Sequence, residues 1–186
     1  MSTLKTTNIT HGSNSGTNNI ILDNTGKVSI AEKKLYCPGT IIQVVSETKT
    51  DTASTASTSW TDTGLQVQIT PTTDTNEIFI TCHFGTCVSD TGYGCHFKLD
   101  GTTSTAIADA GSGAEGTIGA RPHNIYGLEP VSFSFLDSPG STSEKTYKLQ
   151  FLSTNSGVTV WLNRTSSQDS NTPACIATMT AMEVAR

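Results

Sequence analysis

The chain has 186 residues, of which only 15% are charged and 6% are aromatic, and its formal net charge is −5. Because an acidic surface offers phosphates no counter-charge, this composition argues against nucleic acid as a partner. No apolar run approaches the ~20 residues that span a bilayer, so we expect no membrane insertion. The first residues lack the apolar segment of a secretory signal, which favours folding in a cytoplasm.

Residues 1–37 differ in character from the rest and form a predicted N-terminal arm. Residues 19–22 and 27–30 are predicted to form two short strands around a turn that ends in Gly26, a residue that adopts a positive φ at little energetic cost. A hairpin this small is marginal in water. We therefore expect the arm to pack on the main domain, on a neighbouring subunit or on another protein. Residues 38–186 are predicted to form one β-domain.

From residue 40 onward, short stretches of alternating apolar and polar residues follow one another between turn-rich loops. This period of two is typical of strands with one face on a core, and the 33 Thr and 21 Ser suit half-exposed strands and turns. The predicted strands are 40–48, 65–70, 78–84, 93–99, 103–108, 131–136, 147–152, 158–162 and 174–184, with shorter ones at 58–62 and near 124–126. The sequence thus predicts an all-β fold, a single antiparallel β-sandwich of the jelly-roll type that follows the extended arm.

The segment 64–85 is the clearest part of this pattern. Its two alternating arms flank residues 71–76, which consist of turn-forming residues and are predicted to form a surface connection. If residues 78–84 pair with 93–99 as a hairpin, Cys82 faces Cys95 and every apolar side chain lies on one face. The same register places His83 and His96 as diagonal neighbours on the opposite face.

The chemistry-bearing residues give no pattern of an active site. The five Cys are odd in number and irregularly spaced, which favours reduced and mostly buried thiols over a disulfide scaffold. No close C-x₂-C pair accompanies the histidines, so we expect no metal and no cofactor. No G-x-S-x-G elbow opens a helix. We therefore expect that the protein is not an enzyme, and a hydrolase hypothesis would need a clustered carboxylate pair.

A binding surface is the stronger hypothesis from the residues themselves. Exposed aromatic rings beside amide and carboxylate groups suit sugars, because a flat ring stacks on CH groups while polar side chains hold the hydroxyls. Trp161 is out of phase with its apolar neighbours, so its ring faces away from the core and suits a subunit interface or a ligand surface. The candidates for an oligomer or ligand surface are Trp60, Tyr126, Trp161, His83, His96 and Arg121. For a sugar, Tyr93 is a further candidate ring, and Asp109 and Asn163 join Arg121 as polar neighbours.

Several stretches resemble a known class of protein. The N-terminal segments 3–13, TLKTTNITHGS, and 19–28, NIILDNTGKV, resemble the start of tail-fibre-like virion proteins of tailed phages, particularly those of marine cyanobacteria. The segments 38–45, PGTIIQVV, 59–65, SWTDTGL, and 97–101, FKLDG, look like the β-domain that follows in those proteins. These motifs are structural patterns and carry no catalytic signature.

The resemblance implies a non-enzymatic structural component of a phage particle, assembled in the host cytoplasm and located in the virion. It implies a homotrimer that oligomerises through the sandwich and docks on other virion proteins by its arm. The candidate docking residues are Asn8, Ile9, His11, Ile20, Ile21 and Leu22. Because the chain has no repetitive stalk, a short fibre or appendage fits best. The alternatives are a protein that decorates the capsid or tail, or a receptor-binding module that contacts a host surface glycan.

Overall fold

The computed structural model describes residues 8–9, 20–22, 25, 28–30, 37–101, 116–167 and 171–186. Within these ranges the regular structure is entirely β, and no helix is long and apolar enough to cross a bilayer. The strands are Asn8–Ile9 (β1), Ile20–Leu22 (β2), Val28–Ile30 (β3), Ile41–Lys49 (β4), Ala53–Thr55 (β5), Thr61–Ile69 (β6), Glu77–Val88 (β7), Cys95–Asp100 (β8), Ile118–Ala120 (β9), Glu129–Asp137 (β10), Lys145–Ser153 (β11), Val160–Leu162 (β12) and Ala177–Val184 (β13).

Two antiparallel sheets form the main domain. The first sheet has the order β4-β13-β7-β10. Beyond the end of β13, strand β12 pairs with the same edge of β7, and β5 pairs with β12. The second sheet has the order β6-β11-β8-β9. Strands that follow one another along the chain mostly alternate between the two sheets, which is the strand order of a jelly roll. The predicted all-β sandwich is confirmed.

The core lies between the two sheets and consists of the inward rows of each strand. Ile80, Phe84, Phe97 and Phe151 are almost completely buried. The Phe84 ring of β7 lies 4.5 Å from the Phe97 ring of β8, centroid to centroid, so the two sheets interlock at this point. Burial of each such side chain contributes about 1.5–3 kcal/mol.

The predicted hairpin between residues 78–84 and 93–99 is wrong. Strand β7 pairs with β10, β12 and β13, whereas β8 pairs with β9 and β11, so the two strands belong to opposite sheets. Their apolar rows meet across the core instead of side by side. His83 and His96 point away from that core on different sheets, so they are not neighbours and do not meet within one copy of the chain.

Smaller differences concern the loops. The predicted strand at 58–62 begins only at Thr61, and the residues 49–57, predicted as a loop, contain β5. A short strand was expected near 124–126, but it lies at Ile118–Ala120 instead. The connection 71–76 buries Pro71 and Asn76. The predicted strand 103–108 lies outside the described residues.

The described parts of the arm form a small separate sheet. Strand β2 pairs antiparallel with β3, with Ile20 opposite Ile30 and Leu22 opposite Val28, as expected for the predicted hairpin. Strand β1 adds to the other edge of β2, with Asn8 opposite Ile21. Of the candidate docking residues, Asn8, Ile9, Ile20, Ile21 and Leu22 lie in these strands, and His11 lies outside the described residues. The boundary between arm and domain at residue 37 stays a prediction.

Candidate interaction surface

An apolar row crosses the outer side of the first sheet. In the strand register, Met182 of β13 lies opposite both Val44 of β4 and Phe79 of β7, and Phe79 lies opposite Leu136 of β10. Residues directly opposite each other in a sheet point to the same side. Val44 and Leu136 are 56% and 47% exposed. We call Val44, Met182, Phe79 and Leu136 the apolar row.

Two uncharged rows follow the apolar row along the strands. The first is a hydroxyl row, in which the Ser46 and Thr180 hydroxyl groups lie 2.9 Å apart. The second contains His83 of β7. The full rows are Ser46, Thr180, Thr81 and Ser134, then Thr48, Thr178, His83 and Ser132. We call these eight residues and the apolar row together the outer face. None of its twelve residues is Asp, Glu, Lys or Arg, although the whole chain carries a net charge of −5.

A groove of about 560 Å³ adjoins the outer face at the His83 row. Its walls include the apolar side chains of Leu128, Pro130 and Ile176, and its polar lining includes His83 and Ser132. Ile176 is 55% exposed. The groove therefore extends the outer face with a second apolar patch, beyond the hydroxyl row.

Gly85 shapes the floor of this groove. A Cβ atom at this position would lie 2.6 Å from Sγ of Cys175, closer than such atoms approach in proteins. Because Gly85 has no side chain, the segment that carries Cys175 and Ile176 can pack directly against β7.

Asn163 holds that segment in place. It adopts a left-handed conformation with φ of 66°, which Asn tolerates better than most residues. Its Nδ2 donates to the carbonyl oxygens of Lys49 and Asp51, both at 3.1 Å, and its own carbonyl accepts from the Cys175 amide at 3.2 Å. Because Asn163 is fully buried, its predicted contact with a sugar is wrong.

Four of the five thiols, those of Cys82, Cys87, Cys95 and Cys175, are protonated at neutral pH. Burial raises the pKa of Cys82 to about 12 and that of Cys95 to about 11, in the latter case against hydrogen bonds that lower it. Burial also raises the pKa of Cys87 and Cys175. All five Cys are free, and Cys37 is the exposed one. A thiol that stays protonated is a poor nucleophile and a poor metal ligand.

In the described ranges, no group of three His, Cys, Asp or Glu side chains converges in a way that could hold a metal ion.

The two tryptophans each lie beside a cation on the protein surface. The Lys98 Nζ atom lies 5.1 Å from the Trp60 ring centroid on the second sheet. The Arg164 guanidinium lies 5.6 Å from the Trp161 ring. Trp161 is half-buried between the fully buried Val160 and Leu162, so its predicted orientation away from the core is confirmed. Neither ring is part of the outer face.

The other predicted surface residues are also dispersed. Tyr126 is 59% exposed in a turn before β10. Arg121 donates through Nη2 to the Gly92 carbonyl at 2.9 Å, which ties two loops together. His96 lies beside Gly119 on the second sheet. Of the six candidates, only His83 belongs to the outer face.

Sequence reasoning missed the apolar row. The alternation of residues 78–84 implies that Phe79 lies on the outward side of its strand, but the sequence analysis gave that residue no role. The signal was the uninterrupted run Ile78, Phe79, Ile80, which places one large apolar side chain outside the core row. Val44, Met182 and Leu136 could not be grouped with Phe79 before the strand order was known.

Comparison of the chain with models of known protein families and with curated protein sequences gave no match.

Proposed function

We propose that this chain is a non-enzymatic structural component of a tailed-phage virion, a short fibre or appendage protein. In this proposal it self-associates through its β-sandwich, as the homotrimer that the resemblance implies, and docks on other virion proteins by its N-terminal arm. The observation that carries the proposal is the apolar row on an outer face that has no charged residue.

The outer face supports an assembly role because antiparallel sheets usually expose polar side chains on their solvent side. A contiguous exposed apolar patch marks a site where another protein binds. Val44, Leu136 and the adjacent Ile41 are each about half exposed or more.

The arm supports the docking role. Strands β1, β2 and β3 contain two or three residues each. A sheet of this size buries too little apolar surface to be stable alone, so it is suited to form on the surface of a partner. The arm also carries part of the resemblance to tail-fibre-like proteins.

The test is incorporation of the full-length chain into phage particles. A phage that lacks the gene is complemented with wild type, with the double variant Ile20→Asp and Leu22→Asp, or with Thr25→Asp. Thr25 lies exposed in the turn region of the same arm and is the control for added charge. We expect wild type and control in purified particles and an at least tenfold loss of the double variant. Wild type absent from particles, or the double variant incorporated normally, would contradict the proposal.

A further inference from the structure

We infer that the apolar row of one copy packs into the groove of a second copy of this chain. This inference rests on the self-association part of the proposed function and names the surfaces that carry it. One patch is a row of apolar side chains, of which Val44 and Leu136 are about half exposed, and the other is a groove of about 560 Å³ with apolar walls.

The distance between the two patches suits such a contact. The apolar row lies at Phe79 of β7 and the groove lies at His83 and Gly85, with Thr81 between them. The three rows of the outer face span four strands and five residues along each strand, about 19 Å by about 17 Å, or about 320 Å². Specific complexes bury about 800 Å² per partner, and Ile41, Leu128 and Ile176 at the rim bring the outer face closer to that value.

Charge favours a second copy over a partner that is recognised by ion pairs. A surface with no Asp, Glu, Lys or Arg offers such a partner no counter-charge. Two acidic copies would repel each other through most of their surfaces, but the outer face lets them approach without burial of an unpaired charge. Glu77, a charged group at the margin of the outer face, is paired with Arg186 at 2.6 Å.

The hydroxyl row is suited to meet a copy of itself. Each Ser or Thr hydroxyl group can donate one hydrogen bond and accept others, so like rows are complementary to each other. A row of carboxylates or ammonium groups would not be. The contact closes as a pair, in which the two hydroxyl rows face each other, when each copy supplies both patches. It closes as a ring, in which the hydroxyl rows do not face each other, when the apolar row of each copy meets the groove of the next. The trimer proposed above is the ring of three.

Photo-crosslinking of the full chain identifies what covers the apolar row. Benzoylphenylalanine replaces Leu136, or Gln68 on the exposed side of β6 as a control, in an equal mixture of isotopically light and heavy chains. We expect crosslinks from position 136 to residues 128–132 or 174–177 of the other isotope. Capture of residues 1–36 would show that the arm covers the row and would overturn the inference, as would a failure to form any crosslink between chains.

Light scattering on charged variants separates this inference from the broader proposal. Val44→Lys with Leu136→Lys adds charge to the apolar row, and Gln66→Lys with Gln68→Lys adds the same charge to the second sheet. We expect wild type and the control pair to be oligomers, and the row variant to fall to the monomer mass of 19.6 kDa with an unchanged circular dichroism spectrum. An oligomeric row variant would overturn the contact but leave self-association standing. A monomeric wild type at 100 µM would overturn both.

Discussion

Glu183 is a fully buried carboxylate in the inward row of the last strand. Its Oε1 accepts hydrogen bonds from the Thr72 amide, the Thr72 hydroxyl and Nδ2 of Asn76, each at 2.7 Å. Its Oε2 accepts from Nε2 of Gln43 at 2.6 Å. These contacts tie the connection between β6 and β7 to β13 and β4. The alternation of β13 places Glu183 in the core row, but a sequence pattern gives no sign of the donors that make its burial tolerable.

The pKa of Glu183 provides a test of this network. Burial by itself raises the pKa, but the hydrogen bonds from Asn76, Thr72 and Gln43 outweigh it and hold the pKa below its ordinary value of 4.5. The folded state therefore prefers the charged form, so its stabilisation is complete above pH 4.5 and is lost as the pH falls through the folded pKa. We expect Glu183→Gln to lower the free energy of unfolding at pH 7 by about 2–3 kcal/mol, because the amide NH₂ that replaces one carboxylate oxygen cannot accept a hydrogen bond from the donors facing it.

Urea unfolding between pH 7 and pH 3 measures this effect. The difference between wild type and Glu183→Gln should shrink as the pH falls below 4.5. Glu47→Gln, at an exposed position of β4, is the control and should change stability by less than about 0.5 kcal/mol. A difference that stays constant down to pH 3 would show that the charge of Glu183 is not what the network stabilises.

At the scale of the strands, the sequence predicted which residues face the core better than it predicted which strands pair. The alternation in β7 and β8 correctly placed Ile80, Cys82 and Phe97 inside. It could not distinguish a hairpin from two facing sheets, because both arrangements bury the same rows. Strands β5 and β9 have only three residues each and are too short for a periodic signal. Their positions are set by the pairing of β5 with β12 and of β9 with β8.

Neighbouring residues of β7 should therefore respond very differently to truncation. Ile80 is fully buried between the sheets, so we expect Ile80→Ala to cost about 2–5 kcal/mol of unfolding free energy. Phe79 lies on the outer face, so Phe79→Ala should cost about 1 kcal/mol in dilute solution. The proposed contact places that ring between copies, so it predicts that the cost of Phe79→Ala grows with protein concentration.

Chemical denaturation at 1 µM and 100 µM protein compares the two variants. The cost of Ile80→Ala should exceed that of Phe79→Ala at both concentrations. If the two substitutions cost the same in dilute solution, Phe79 contributes to the core of a single copy, and the outer face has been assigned to the wrong side of β7.

At the scale of the whole molecule, the outer face exists only because the jelly-roll order brings distant parts of the chain together. Val44, Phe79, Leu136 and Met182 span most of the domain in sequence but occupy one row across four strands. The sequence therefore yielded the fold class and the inward rows, whereas the candidate site required the strand order. Aromatic residues that stand out in the sequence, such as Trp60 and Trp161, lie elsewhere.

The uncharged outer face and the acidic remainder of the molecule together predict how self-association depends on salt. Copies with a net charge of −5 repel each other, and the outer face contains no ion pair that salt could weaken. Raising the salt concentration from 0.1 M to 1 M shortens the screening length from about 10 Å to about 3 Å, which removes repulsion and leaves apolar contacts intact.

Sedimentation velocity should therefore give a Kd for self-association that is unchanged or lower at 1 M NaCl. Asp74→Asn, which removes one exposed negative charge, should act in the same direction at 0.1 M. A Kd that rises tenfold with salt would mean that ion pairs hold the copies together, and that the contact lies on a charged surface rather than on the outer face.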